Sequence, residues 1–340
     1  MRKLYLLSLL IAIAAVGCAF QNGKTPQGSD TSALRQVQSI QLPDVTGRID
    51  HMSIDSQGGR LFVAALGNNT VEVIDLKAGN RTEEIKNLQE PQGVVYVPEG
   101  NKLLVSNGEG DSLDIYDGTS LKLLNQLELG EDPDNIRYDA TTGYAYVGYG
   151  TRNSSALGIV DVDKGTKARD IKLSGHPESF QLESSGTRIF VNVPTSGQVA
   201  VVDREKGSVV DTWPIENAKE NFPMALDESS HRLFIGTRSP AKLLVLDADT
   251  GKMITSLDSS GDADDIFYDA DNKRIYVSGG EGATSVFEQT DPDTYKLEGR
   301  VDTAKGARTS LFVPDSGTLY IAVPPNGSQQ AEVRALQIEP

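Results

Sequence analysis

One stretch, RLFVAALGNNTVEVIDL (Arg60 to Leu76), returns in altered form about every 43 residues, and this repetition limits the fold more than any other property of the chain. Within it, Arg60 to Ala65 alternates large apolar and small residues, Gly67-Asn68-Asn69 interrupts, and Val71 to Asp75 alternates again. Alternation at period two marks a half-buried strand, and Gly/Asn pairs form turns because they tolerate positive φ. The succession recurs as KLLVSNGEGDSLDIYD (102–117), RIFVNVPTSGQVAVVD (188–203), RLFIGTRSPAKLLVLD (232–247) and three looser copies beginning at Gly143, Arg274 and Thr318, which makes seven. A preceding strand ends each time in an acidic residue or proline: Asp55, Pro98, Asp139, Glu183, Asp227, Asp269 and Pro314, at spacings of 43, 41, 44, 44, 42 and 45 residues.

Such a period suits a four-stranded propeller blade or a two-helix solenoid repeat. β-branched and aromatic residues at period two leave no room for two helices per copy, so the pattern predicts an all-β, seven-bladed β-propeller with four strands per blade. Fourth strands are expected at Glu84–Leu88, Leu124–Leu129, Arg169–Leu173, Val209–Ile215, Met253–Leu257 and Leu297–Val301. The seventh copy has none. The unassigned segment Arg35 to Leu42 is expected to supply it, closing the ring non-covalently and removing its exposed edges.

The run Phe62-Val-Ala-Ala-Leu-Gly-Asn-Asn-Thr-Val-Glu-Val-Ile-Asp75 resembles the YVTN repeat of bacterial surface-layer-type, YncE-like β-propeller proteins. Tyr146-Val-Gly, Phe190-Val-Asn and Tyr276-Val-Ser echo its opening, whereas Leu104-Val-Ser and Phe234-Ile-Gly depart from it. The likeness spans residues 34–340. It implies a seven-bladed propeller and no single activity.

Ahead of the repeats, Met1-Arg-Lys is followed by an apolar run from Leu4 to Val16, broken only at Ser8. That is too short to span a bilayer and fits the h-region of a signal peptide. It ends in Ala15-Val16-Gly17-Cys18, which resembles a bacterial lipobox, with Ala where Leu is commoner. The expected organisation is a lipoprotein signal (1–17), a lipidated Cys18 with a polar tether (18–33), and one propeller (34–340), anchored by acyl chains in a bacterial cell envelope. Cys18 is the only cysteine, so no disulfide or thiolate metal site remains.

The chain carries 32 Lys+Arg against 48 Asp+Glu, a net charge of −16. Such a field opposes phosphate backbones and argues against nucleic-acid binding. A monomer is expected.

In a propeller, the loops leading into the innermost strands and those joining second and third strands open on one face, around the channel. Aligned on the acidic-or-proline markers, the leading segments place Asp50, Gln92, Asp134, Glu178, Asn221, Asp264 and Arg308 there, with Arg48, His51, Asn135, His176 and Asp265 beside them. The second-to-third loops add Asn68, Asn107, Tyr149, Arg152, Arg238 and Glu281. Seven different polar signatures at equivalent positions point to recognition of something asymmetric; polar loops capping their own amides are the simpler account.

The chemistry stays open at this stage. Asp50, Asp134, Glu178 and Asp264 can ring a divalent cation, and His51 or His176 would shift the preference towards a transition metal. Arg48, Arg152, Arg238 and Arg308 instead favour a carboxylate guest. His51 and His176 are also the candidates for acid/base chemistry. Three functions follow: a binder of a small polar ligand or envelope protein, a metal-assisted hydrolase, lactonase or lyase, or a scaffold. Asp161-Val-Asp-Lys-Gly and Asp247-Ala-Asp-Thr-Gly look like calcium loops, but they lack the required glycine and glutamate and are expected to be turns.

Overall fold

The computed structural model describes residues 33–151 and 154–339. The leader, Cys18, the tether apart from Ala33, and Arg152 therefore lie outside the described residues. The described strands form seven antiparallel sheets of four. Each innermost strand touches the next around the ring, and the seventh (Ser310–Val313) touches the first (Met52–Asp55). The ring closes as the sequence predicts. The first strand, Leu34–Gln41, pairs antiparallel with the last, Glu332–Ile338, in register from Leu34 opposite Ile338 to Gln41 opposite Glu332.

Within a blade the strands are joined by short side-chain-capped turns. After the third strand, Asp75, Asp161, Asp203 and Asp247 each accept the backbone N–H three residues on, at 2.8 to 3.0 Å. A glycine at positive φ follows in each turn (Gly79, Gly165, Gly207, Gly251), a conformation that costs other residues strain. The two calcium-loop lookalikes are thus Asx turns. The outermost strands differ modestly from expectation. That of the first blade is Asn80–Ile85 and not Glu84–Leu88, because an outer edge faces solvent and its polar start, NRTE, carries no apolar alternation to read.

The apolar core is divided into seven clusters, one between each pair of neighbouring sheets. Phe62 and Val73 pack with Leu103 and Val105 between the first two blades, for example, and Leu34 packs with Tyr276 and Phe312 between the last two. Propeller stability therefore resides in the contacts from blade to blade. Added to them is a repeated polar clasp. The basic residue opening a second strand reaches a backbone carbonyl in the following blade: Arg60 to Gly118, Lys102 to Val162, Arg188 to Ala248, Arg232 to Pro292 and Arg274 to Glu339, at 2.6 to 3.0 Å. Arg188 also pairs with Glu183 and Asp249 and lies over the Phe190 ring. Arg188→Met keeps the packing but removes charge-assisted bonds, so urea unfolding should show a loss of roughly 2 to 3 kcal/mol. An unchanged midpoint would mean that the clasp is incidental.

Among the described residues no helix is long and apolar enough to cross a membrane.

Candidate functional site at the channel mouth

The segments leading into the innermost strands are pinned to their own blades. The amides of Asp50, Asp134 and Glu178 donate to the carbonyls of Ala64, Gly148 and Asn192, at 2.7 to 3.0 Å. This repeated tie holds three carboxylates at equivalent positions of three blades and leaves their side chains to the channel. In the sixth blade the register slips between Ala263 and Asp265, and the bulge presents Asp264 to the same space.

Together they line a cup of about 220 Å³ at the channel mouth. Its outer wall is a set of committed ion pairs. Arg48 Nη2 lies 2.9 Å from Asp50 Oδ2, Arg308 Nη2 lies 2.9 Å from Asp262 Oδ2, and Arg238 binds Asp264 while its guanidinium stacks 3.8 Å from the Phe222 ring centroid. His51 lines the inner end, and also a second cavity of about 520 Å³ farther along the channel. Its Nδ1 lies 3.5 Å from Asp265 Oδ1, and its Nε2 lies 3.8 Å from both Asp50 Oδ1 and Asp134 Oδ1.

These surroundings set the protonation states. Burial disfavours the His51 imidazolium, but Asp265, Asp50 and Asp134 outweigh it and raise the pKa to about 10. His51 is therefore a fixed positive charge near neutral pH and not a ready base. Burial first, and repulsion from Asp50 second, raise Asp134 to about 6. Burial raises Asp264 to about 7, with Arg238 opposing, and burial with repulsion from Asp134 and Asp264 lifts Glu178 well above the usual range. His176 donates from Nδ1 to the Gly150 carbonyl at 2.7 Å, since a carbonyl only accepts. One ligating atom each from Asp134, His176 and Glu178 lie within 4.8 Å of one another.

Of the residues singled out in the sequence, Arg48, Asp50, His51, Gln92, Asp134, Asn135, His176, Glu178, Arg238, Asp264 and Arg308 meet in the cup. Asp265 sits behind His51 and accepts the Ser310 amide at 2.8 Å. Five others do not reach it. Asn221 is fully buried and donates to Asn192 and Gln198, bracing two blades. Asn68 caps Thr46 and bonds Thr70, Asn107 donates to Ser112, Tyr149 packs in the core between the second and third blades, and Glu281 lies beside Arg300. Asp132 and Phe222 line the cup without having been singled out, and Asp262 pairs with two of its arginines. Two of the three were legible as Asp-x-Asp pairs, Asp132-Pro-Asp134 and Asp262-Ala-Asp264.

The chain is 24% identical over 246 residues to the uncharacterized protein YncE of Salmonella typhimurium, spanning 66% of this chain and 67% of that one. The counterpart from Salmonella typhi is 25% identical over the same length. It is a YncE-like propeller. No protein-family profile matches the chain. Among solved structures, Kuenenia stuttgartiensis hydrazine synthase superposes with a TM-score of 0.76 at 18% identity, covering 93% of this chain and 100% of that one. A mitotic checkpoint complex chain gives 0.75 at 15% identity, covering 98% and 100%. At such identities the likeness speaks for the ring of blades alone.

Proposed function

We propose that this YncE-like propeller is a binding protein of the bacterial envelope, tethered through Cys18, whose channel mouth receives a small polar guest carrying positive charge. One observation carries the reading: the cup holds more buried carboxylate than its cations satisfy. Arg48, Arg238 and Arg308 are each spent on a partner, and His51 divides its one charge among Asp50, Asp134 and Asp265, while Asp134 and Glu178 make no side-chain hydrogen bond among the described residues. Three of the four arginines that in the sequence argued for an anionic guest are thereby neutralised; Arg152 lies outside the described residues. A buried carboxylate left without a partner is costly, and a cation entering the cup removes that cost. The volume of the cup admits an ion or a small amine and excludes folded polymers.

The test is thermal unfolding with putrescine, betaine, a divalent metal salt or succinate added singly. At least one cationic probe should raise Tm, as expected for a guest that binds only the folded ring, and Asp134→Asn should abolish the rise. Stabilisation by succinate alone would overturn the reading in favour of an anionic guest on the arginines.

A further inference from the structure

We propose that Asp134, His176 and Glu178 form a site for a single divalent transition-metal ion at the channel mouth. The inference rests on the cationic-guest reading and names its guest. Proximity alone would not carry it, because acidic clusters are common at channel mouths. Three further observations do.

First, Asp134 is 8% exposed, and its Oδ1 is sealed from solvent with no hydrogen-bond partner. His51 Nε2 lies 3.8 Å from that atom, beyond hydrogen-bond reach. Native structures rarely leave a buried carboxylate oxygen in this condition unless an ion or water completes it. Second, His176 is prepared as a ligand. Its Nδ1–H is spent on the Gly150 carbonyl, which fixes the tautomer and leaves Nε2 as the nitrogen with a free lone pair. A backbone carbonyl holding the far nitrogen is the usual support of a metal-bound histidine. Third, the neighbouring carboxylates are excluded by their engagements. Asp50 is held by Arg48 and Asp264 by Arg238, so the set of four acids expected from the sequence narrows to Asp134 and Glu178, with His176 added.

The donor set selects the ion. One imidazole and two carboxylates suit zinc, manganese or iron(II), whereas calcium prefers six or more oxygens and magnesium retains its water. Three protein ligands leave coordination positions open. Bonds of about 2.0 to 2.2 Å require Asp134, His176 and Glu178 to close slightly on the ion.

The deciding experiment is titration calorimetry of the full, metal-stripped chain with Zn²⁺ and, separately, Mn²⁺, beside visible absorption of the Co²⁺ form. One ion per chain is expected. Asp134→Asn and Glu178→Gln should each weaken binding by about 100-fold or more, and His176→Gln should alter the Co²⁺ spectrum, with circular dichroism unchanged in all three. Glu281→Gln, outside the cup, should bind like the parent. Should Asp134→Asn fail to fold, Glu178→Gln carries the same test. Undiminished binding in these variants, or no ion bound at all, overturns the assignment. No metal with a Tm rise from putrescine or betaine would remove the ion and leave the cationic-guest reading standing. Silence from every cation would remove both.

Discussion

Without a guest, the protein should become steadily less stable as pH rises from about 5 to 9, against the usual trend for acidic proteins. The sign follows from the proton count. Asp134, Asp264 and His51 all have folded-state pKa values above their ordinary ones, at about 6, 7 and 10, and Glu178 shifts the same way. A group with a raised folded pKa contributes stability that is complete below its unfolded pKa and is lost as pH climbs through the folded one. For the carboxylates that window opens near pH 4 and closes near 7; for His51 it runs from 6.5 to about 10. Throughout, the folded ring binds more protons than the unfolded chain, so unfolding free energy falls with pH. At about 1.4 kcal/mol per pKa unit the two aspartates alone amount to on the order of 5 kcal/mol. For a domain of this size that is a Tm loss of roughly 5 to 10 °C. Carboxylates with lowered values, such as Asp227 and Glu332, act the other way but only below about pH 4.5. Scanning calorimetry from pH 4 to 9 checks this, and a Tm that rises across the range would mean that the mouth carboxylates are ordinary ones. Bound metal should flatten the slope by replacing the protons.

Breaking the strand that closes the ring should have an effect of similar size. Ile40 is fully buried opposite Val333, in the cluster joining the seventh blade to the first. Ile40→Asp places an unpaired charge there and should cost about 4 kcal/mol or more, a large part of the 5 to 15 kcal/mol that holds a typical domain. Deleting residues 33–41 should go further, exposing the Glu332–Ile338 edge and replacing one cooperative urea transition by a broad one or by aggregation. A synthetic peptide of residues 33–42 added in trans should restore the sharp transition. A truncated chain that unfolds as sharply as the parent would show that seven blades hold together without the latch.

The ring was legible in the sequence because a blade repeats and a repeat can be counted. Asp55, Asp139, Asp227 and Asp269 mark the same turn each time, and an absent fourth strand in the last copy leaves one place for Arg35 to Leu42. The cup was legible only in part. Counting back from the markers finds Asp50, Asp134 and Glu178, whose blades pin them alike, and Asp264, which a register slip presents to the same space. It fails at Asn221, because the fifth blade slips register between Asn221 and Met224 and turns that amide under Asn192. Placement by the second-to-third loops fails at Tyr149, because an aromatic ring at a strand end gains more from the core than from the channel. Nor does position reveal which carboxylates are already spent: Arg48 and Arg238 settle that through space, and their partners lie on loops the alignment treats as equal.

The latch also sets an order of events on the ribosome. Leu34 is synthesised some three hundred residues before Ile338, its neighbour in the sheet. At the usual 5 to 20 residues per second it waits roughly 15 to 60 seconds for its partner to be made. Few strands are so long without a place to go, and a waiting apolar strand would invite the wrong company. The composition of this one answers that hazard: Arg35, Gln36, Gln38, Ser39 and Gln41 keep it soluble, and only Leu34 and Ile40 are reserved for burial. Its polarity suits the solvent-facing edge of the finished blade and the wait of the nascent chain alike.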